Sequence, residues 1–313
     1  MAGARRYRLI WLAVVPTALW ALVRVFGLDN GFPLVPLMAF TPYAAIAALL
    51  LAGVAMALRN WAAATVAGLT MLCLAAAILP RAIGDGTVEA AGHETVTVLS
   101  ANIHHGTADP EAVVELVDRY DVDLLAVQEL TPSFARKLRL AGLASRLPNA
   151  TLETRRSASG AGLYSSLPLR KLGGSQPFFF RQPRALLRLP DGRRLRVVGV
   201  HPYPPGRGND DIWAEALESL PAAGAGAPWI LVGDFNATLD VSLLRDLLDG
   251  GYRDAGDVAG EGLEPTFPRE KHLIPPITID HVLADDRLGV VAYSVEELPG
   301  SDHRAVRAEL ALP

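Results

Sequence analysis

The sequence contains little cysteine and little net charge. The single cysteine, Cys73, excludes an intrachain disulfide and a metal site built from a cluster of thiolates. The 29 basic and 33 acidic side chains leave a net charge of −4, so the chain lacks the basic excess of a dedicated nonspecific DNA-binding protein. It also has no phosphate-binding P-loop and no Gly-x-Ser-x-Gly motif, which argues against P-loop nucleotidases and against serine hydrolases that carry that motif.

Charged residues are scarce in the first 93 positions. This segment carries nine charged side chains, whereas residues 94–313 carry 23 basic and 30 acidic ones, a net charge of −7. Half of the whole chain is apolar, too much for a disordered protein. The two parts therefore suit different solvents. We predict a membrane domain over 1–84, a polar linker over 85–93 and a second domain over 94–313.

Three apolar runs without charge lie in the first part. They are Leu9–Val23, which extends past Arg24 to Phe26, then Pro33–Leu58 and Trp61–Leu79. A bilayer core requires about 20 apolar residues, so the later two runs meet this length, and the first does if Arg24 reaches the interface. We predict about three transmembrane helices. A buried hairpin of a soluble protein is disfavoured because neither long run has a polar face, and a cleaved signal peptide because further runs follow.

The arginines that flank these runs predict an orientation. Four lie on one side of the predicted membrane and two on the other: Arg5, Arg6, Arg8 and Arg59 against Arg24 and Arg81. The positive-inside rule then puts the N-terminus in the cytoplasm and everything after Arg81 outside. We expect a multi-pass protein of the cell membrane, held in the lipid bilayer by its N-terminal helices, with an extracytoplasmic second domain.

Residues 94–313 alternate between strand-like and helix-like patterns. Asp109-Pro110 and Thr131-Pro132 each offer a helix cap followed by a proline at the first helical position. Asp191-Gly192 lies between two apolar runs and predicts a hairpin. Hairpins together with strand–helix units predict a mixed α/β fold and disfavour a purely parallel sheet.

Polar residues stand at the ends of the predicted strands. In chain order they are Asn102, Glu129, His201, Asp234 with Asn236, Asp280 with His281, and Ser301-Asp302-His303. Taken singly, each has an ordinary explanation as a turn residue, a solvated residue or a structural histidine. Strand ends open onto a common rim in α/β folds, so the whole set predicts one site.

These residue types suit metal-assisted attack of water on a phosphate ester. Glu129, Asn102 and Asp302 offer hard oxygen ligands, which favour Mg²⁺ or Mn²⁺ over Zn²⁺. Asp234 can take a proton from water, and Asp280 can hold a histidine in one tautomer. The side chains suited to stabilising charge on the phosphate oxygens are His201, His303 and Asn236. We predict His104-His105 to be loop residues, because adjacent side chains on a strand point in opposite directions.

Residues 95–313 resemble the endonuclease/exonuclease/phosphatase superfamily, which has the DNase I-like fold. The matching segments are Leu99–Asn102, Asp123–Glu129, Val200–Pro202, Leu231–Asn236, Ile279–Leu283 and Ser301–His303. The resemblance implies a four-layer α/β/β/α sandwich of two packed mixed sheets and a metal-dependent phosphoric ester hydrolase.

The resemblance also implies roles for the site residues. Glu129 is then the principal metal ligand, supported by Asn102 and Asp302. Asp234 orients or deprotonates the attacking water, and Asn236 holds that water or a phosphate oxygen. His201 and His303 contact the phosphate, and Asp280 orients His303. Two positions qualify the match: Ser165-Ser166 stands where the family often has Ser-Arg, and Phe267 lies in a loop that often packs an aromatic side chain near the substrate.

The substrate is left open between several classes. A domain of net charge −7 is poorly suited to gripping a polyanion, and tethering beside a bilayer raises its effective concentration towards lipid headgroups. We therefore expect a phosphodiesterase acting on a lipid headgroup or small molecule at the outer face. The alternative is an extracellular nuclease, favoured if Arg181, Arg184, Arg193, Arg194 and Arg196 form a basic groove. An inactive membrane scaffold is a third reading, and a transporter is disfavoured by so few spans. No protein partner is predicted.

Overall fold

The computed structural model describes residues 7–173, 179–270 and 273–313. Arg5 and Arg6, which entered the predicted orientation, lie outside these residues. The N-terminal part contains four helices: α1 (Trp11–Phe26), α2 (Leu34–Met38), α3 (Thr41–Ala57) and α4 (Trp61–Ile83). The first strand then begins at Thr95.

Two of these helical stretches, and not three, reach bilayer length. Tyr7–Phe26 and Trp61–Ile83 have 20 and 23 residues with mean hydropathies of 2.0 and 2.2. The middle run, Pro33–Leu58, is divided into α2 and α3, and α3 has only 17 residues. The division falls at residues 39 and 40, and Pro42 then stands in the first turn of α3, where its missing backbone donor is tolerated. Against the prediction of about three transmembrane helices, two stretches, and not clearly three, have the length and composition of a membrane span.

The rest of the described chain forms two six-stranded sheets. The first has the order β11-β12-β1-β2-β4-β3 and the second the order β5-β6-β7-β8-β10-β9. The first sheet comprises β1 (Thr95–Asn102), β2 (Leu124–Gln128), β3 (Asn149–Glu153), β4 (Ala161–Ser165), β11 (Gly289–Glu296) and β12 (Ala305–Ala311). The second comprises β5 (Leu169–Lys171), β6 (Arg184–Arg188), β7 (Arg194–Val200), β8 (Trp229–Asp234), β9 (Tyr252–Asp254) and β10 (Asp280–Asp285).

Both sheets are mixed, and this places the strand ends together. β1 pairs with β2, and β7 with β8, in parallel, while the other pairings are antiparallel. In register, Asn102 lies beside Gln128 and Val200 beside Gly233. The polar residues that end or follow these four strands therefore meet at one edge.

Helices cover the outer faces of the two sheets. A core lies between the sheets, a second lies under the helices of the first sheet, and a third lies under those of the second sheet. The remaining helices are α5 (Pro110–Arg119), α6 (Pro132–Leu140), α7 (Leu143–Arg146), α8 (Asp210–Glu218), α9 (Ser242–Asp249) and α10 (Ala255–Ala259). The predicted α/β/β/α arrangement is confirmed.

The N-terminal helices pack against the second sheet's helical layer. Val35 and Met38 of α2 belong to the same buried core as residues of α8 and α9. Arg24, which was expected to reach the membrane interface, is instead buried and donates to Asp240 at 2.7 Å. Burying an arginine requires a partner of opposite charge, and the two-sheet part of the chain supplies one.

Candidate active site

The two sheets meet at Asn102 and Asp234. Asn102 ends β1 in one sheet, and Asp234 ends β8 in the other. The amide Nδ2 of Asn102 donates to Oδ2 of Asp234 at 3.0 Å, and both side chains are buried. One hydrogen bond therefore joins the sheets at the edge where the predicted site residues lie.

Asp234 is surrounded by four of the predicted site residues. Its Oδ1 accepts from the backbone N–H of Asn236 at 2.8 Å, and its Oδ2 accepts from Asn102. The Nε2 atoms of His303 and His201 lie 3.8 and 3.9 Å from the same Oδ2. The structure thus brings the predicted base and the predicted phosphate contacts together.

The backbone before Asp234 leaves no room for a side chain. Gly233 has φ +152°, and a Cβ atom there would lie 2.0 Å from the carbonyl oxygen of Val200. Glycine is therefore required at this position so that β8 can approach β7 and deliver Asp234 to the edge.

Asp280 and His303 form a buried ion pair. Nδ1 of His303 lies 2.9 Å from Oδ2 of Asp280. Burial by itself lowers the pKa of His303, but the carboxylates of Asp280 and Asp234 outweigh it and raise this pKa to about 10. His303 is therefore an imidazolium at neutral pH, with its second N–H directed towards the neighbourhood of Asp234.

Asp234 is held near its titration point. Burial first, and then the charge of Asp280, raise the pKa of Asp234 to about 7, against the lowering effects of His303 and of hydrogen bonds from Asn236 and Asn102. A carboxylate with this pKa gains and loses a proton close to neutral pH, as a general base requires.

His201 is a neutral imidazole in the same site. It is buried, and its Nδ1 has no hydrogen-bond partner among the described residues. Burial, together with the charges of His303 and His105, lowers the pKa of His201 to about 3. The ring of Phe180 packs edge-on against it at 4.9 Å. His201 can therefore serve as a fixed hydrogen-bonding group and not as a cation.

A single turn contacts all three predicted metal ligands. In the 3-10 turn His104–Gly106, the N–H of His104 donates to Oδ1 of Asn102 at 3.1 Å. The N–H of His105 donates to Oε2 of Glu129 at 2.7 Å, and Nδ1 of His104 lies 3.5 Å from Oδ1 of Asp302. Two carboxylates and one amide oxygen thus converge on one three-residue turn. This donor set fits a hard divalent cation.

The backbone at this corner adopts left-handed conformations. His104, His105 and Glu129 have φ values of 43°, 56° and 59°. Non-glycine residues in this region cost about 1–3 kcal/mol each, and such strain concentrates at functional sites. The histidines are loop residues, as predicted. Their position against the ligands was missed, although two histidines directly after a strand end were the available signal.

Another group of side chains has metal-ligand spacing. Among the described residues, ligand atoms of Asp234, Asp280 and His303 all lie within 4.8 Å of one another. Nδ1 of His303 is already bound to Asp280, and its imidazolium has no free lone pair for a cation. We therefore favour the oxygen set around the His104–Gly106 turn as the metal ligands.

One loop, between α10 and β10, supports the site from outside. The hydroxyl of Thr266 accepts from the N–H groups of Ile279 and Asp280 at 3.0 and 3.2 Å, which fixes the start of β10. The ring of Phe267 lies 4.8 Å from the ring of His303, so the predicted aromatic side chain borders the site. Its contact with substrate stays a prediction.

His281 has a role that the sequence did not indicate. Its Nδ1 lies 2.9 Å from Asp254, and its Nε2 lies 3.0 Å from the carbonyl oxygen of Ala237. Burial lowers the pKa of His281, but Asp254 and the hydrogen bonds raise it overall. This histidine therefore ties β10 to the loop that follows Asp234.

The five arginines considered as a basic groove do not form one as a set. Arg184 donates to the carbonyl of Ser219, and Arg196 to that of Ala227. Arg193 pairs with Asp191 and Glu94. Arg194 begins β7 at the end opposite the site, whereas Arg181 directly follows Phe180. Most of these arginines thus form hydrogen bonds or ion pairs within residues 94–313.

Comparison with known proteins places this geometry in a family. The sequence profile of the Endonuclease/Exonuclease/phosphatase family matches residues 99–303, a range that contains all the predicted site residues. Its ends fall in β1 and at His303. No curated protein matches the chain.

Solved structures share the fold at low identity. An endonuclease/exonuclease/phosphatase from Beutenbergia cavernae is 17% identical, with a TM-score of 0.54 over 70% of this chain and 72% of that chain. The protein from Bacteroides vulgatus is 16% identical, with a TM-score of 0.54 over 70% and 100%. Humanized D. rerio TDP2 with 14 mutations is 15% identical, with a TM-score of 0.56 over 69% and 98%. These likenesses concern the sandwich of two sheets.

The ion pair at His303 predicts an unusual titration. In metal-free protein, NMR should find His303 still protonated at pH 8, and Asp280→Asn should lower its pKa by at least about two units because the nearest carboxylate is lost. The folded-state pKa lies above the ordinary 6.5, so the pair stabilises the fold fully below about pH 6.5 and progressively less as the pH rises towards 10. Titration of His303 near pH 6.5 in both proteins would contradict the assignment.

Proposed function

Since the chain belongs to the endonuclease/exonuclease/phosphatase family, whose members are metal-dependent phosphoesterases and nucleases, we propose that it is a membrane-anchored phosphodiesterase requiring Mg²⁺ or Mn²⁺. One observation carries the proposal. A buried carboxylate with a pKa of about 7, Asp234, faces an imidazolium, His303, in the site where one turn contacts all three predicted oxygen ligands.

In the proposed chemistry, one set of residues holds the cation and another set handles the water and the phosphate. Glu129, Asn102 and Asp302 would hold the cation, which when bound polarises the phosphate and neutralises charge on it. Asp234 takes the proton of the attacking water, while Asn102 and the N–H of Asn236 keep its carboxylate in place. As the water oxygen bonds to phosphorus, the bond from phosphorus to the leaving oxygen breaks, and solvent water protonates the leaving alkoxide. The N–H of His303, held by Asp280, donates to a phosphate oxygen as negative charge develops. His201 and the side chain of Asn236 orient the phosphate and the water.

The membrane part of the proposal rests on exposed apolar surface. Of the 29 large hydrophobic side chains that are exposed among the described residues, 22 lie in residues 7–83. Only 22% and 28% of the two bilayer-length stretches are buried inside the protein. A soluble protein rarely exposes so large an apolar surface, so lipid is its natural partner. The proposed extracytoplasmic location of the sandwich follows from the positive-inside rule and requires α3 to cross as a third span. Its 17 residues are the lower limit for a span. Arg24 and Arg81, near the ends of α1 and α4, both pair with Asp240, so these two helix ends lie on the same side.

One loop contacts both the site and the N-terminal helices. Phe267, which packs on His303, begins this loop, and the carbonyl of Pro276 further along accepts from the hydroxyl of Tyr43 at the start of α3. Between them, Leu273 is 99% exposed. An exposed leucine in the segment between Phe267 and Pro276, in a domain of net charge −7, favours a lipid headgroup phosphodiester over a nucleic acid.

Activity of the full-length protein in detergent tests the reaction. We expect metal-dependent hydrolysis of a chromogenic phosphodiester faster than of the matching monoester, and its loss with EDTA. Asp234→Asn and His303→Gln should each lower kcat by at least about 10²-fold, as loss of a general base or a charge-stabilising donor does.

The matched control is Asp211→Asn on the surface of α8, which should leave kcat unchanged. Faster turnover of DNA or RNA than of phospholipid in mixed micelles would favour the nuclease alternative. Wild-type rates in both site variants would contradict the site, and no turnover with any of these substrates would favour an inactive scaffold.

Reporter fusions test the orientation. A fusion after residue 93 should be active with a periplasm-specific reporter, and a fusion at Arg59, between α3 and α4, with a cytoplasm-specific one, since four of the six flanking arginines are predicted on the cytoplasmic side. The reverse pattern would overturn the extracytoplasmic location without affecting the proposed reaction.

A further inference from the structure

One buried carboxylate connects two N-terminal helices to the catalytic sandwich. Nε of Arg24, near the end of α1, donates to Oδ1 of Asp240 at 2.7 Å. Arg81, near the end of α4, donates from its two terminal nitrogens to both carboxylate oxygens of Asp240 at 3.0 Å. All three side chains are less than a tenth exposed. Because both arginines are buried, Asp240 is the partner that makes their burial tolerable.

Asp240 belongs to the loop that carries the proposed base. It follows Asp234 by six residues, and the same segment contains Asn236, whose φ is +52°. The N–H of Asp240 donates to the hydroxyl of Thr238 at 3.3 Å, so its position is coupled to the middle of the loop. We call residues 235–240 the catalytic loop.

The catalytic loop is held by side chains that approach from several elements. The indole N–H of Trp213 donates to the carbonyl of Phe235 at 3.1 Å, and Nε2 of His281 binds that of Ala237 at 3.0 Å. Arg81 donates to the carbonyl of Leu239 at 3.0 Å, in addition to its contacts with Asp240. The last part of the loop is therefore held by hydrogen bonds from the N-terminal helices as well as by the packing of Leu239 in the core of the sandwich.

A cavity beside the contact between Arg81 and Asp240 leaves room for the catalytic loop to shift. A cavity of about 90 Å³ lies between the N-terminal helices and the loop, lined by Tyr43, Arg81, Thr238, Asp240 and His281 among others. Close packing does not fill this side of the loop. Directional hydrogen bonds to the arginines thus hold it, and their loss would leave room for displacement.

We propose that the N-terminal helices position the catalytic loop through Arg24, Arg81 and Asp240, so that they contribute to turnover as well as to anchoring. The three are positioning residues, since they act on Asp234 and Asn236 through the backbone. The inference rests on the proposed phosphodiesterase function. A displacement of about 1 Å at a reacting group can cost up to about 10²-fold in rate, so a loosened loop should lower kcat more than it raises KM.

The test uses the full-length protein in detergent with the chromogenic phosphodiester and Mn²⁺. Asp240→Asn and Arg81→Gln should each lower kcat at least about tenfold and change KM less than about threefold. Arg81→Lys, which keeps the charge but offers only one donor group, should be intermediate. Arg253→Gln is the matched control, because it breaks an exposed 3.0 Å pair with Asp85 that also joins the N-terminal part to the sandwich, and should have no effect.

Hydrogen exchange gives a readout besides activity. The amides of residues 235–241 should exchange at least about tenfold faster in Asp240→Asn than in the wild type, with no such change in Arg253→Gln. If Asp240→Asn does not fold, Arg24→Gln replaces it as the test of the proposal. This variant removes one hydrogen bond to Asp240 and leaves those from Arg81, so it disturbs the fold less. A lower kcat and faster loop exchange than in Arg253→Gln would support the proposal.

Two results would overturn it. One is kcat within about twofold of wild type in folded Asp240→Asn and Arg81→Gln, or in Arg24→Gln if it decides. The other is unchanged exchange of the catalytic loop. An inactive wild type would instead refute the phosphodiesterase proposal, and the exchange comparison would still test the positioning of the loop.

Discussion

The burial of Asp234 between two sheets is the constraint on which the rest of the site depends. Its carboxylate has lost most of its water and relies on the amide of Asn102, the N–H of Asn236 and the nearby imidazolium of His303. Each partner comes from a different strand end or loop, so the site exists only when both sheets are assembled. Desolvation is also what moves the pKa of Asp234 towards neutrality and so gives it a chemical use.

The same principle governs the junction with the N-terminal helices. Two arginines in otherwise apolar helices are accommodated because the carboxylate of Asp240 pairs with both of them. The apolar side chains of those helices face outwards, where a bilayer is the solvent that suits them. The buried ion pairs that Arg24 and Arg81 form with the sandwich are therefore placed six residues from the proposed base. This location links anchoring with the geometry of the reaction.

The sequence was informative where a local pattern carried the signal. Apolar runs ending in Asn102, Glu129 and Asp234 predicted the strands and their common edge, since alternation and strand polarity are local properties. The number of bilayer-length helices was overestimated because hydropathy alone does not show that the run Pro33–Leu58 is divided into two helices at residues 39 and 40. The pairing of Arg24 and Arg81 with Asp240 spans more than 150 residues, and nothing local to any of the three residues predicts it. His104 and His105 were missed as neighbours of the proposed metal ligands because their left-handed backbone appears only in the folded turn.

The central claim is that three oxygen side chains from three strand ends and loops hold a divalent cation beside Asp234. The most direct measurement is a titration of metal-free, full-length protein with Mn²⁺, followed by electron paramagnetic resonance, for the wild type and for Glu129→Gln. The account predicts saturable binding in the wild type and an affinity at least about tenfold weaker in Glu129→Gln, because a charged ligand is lost. Equal affinity in the two proteins, or no saturable binding in the wild type, would contradict it.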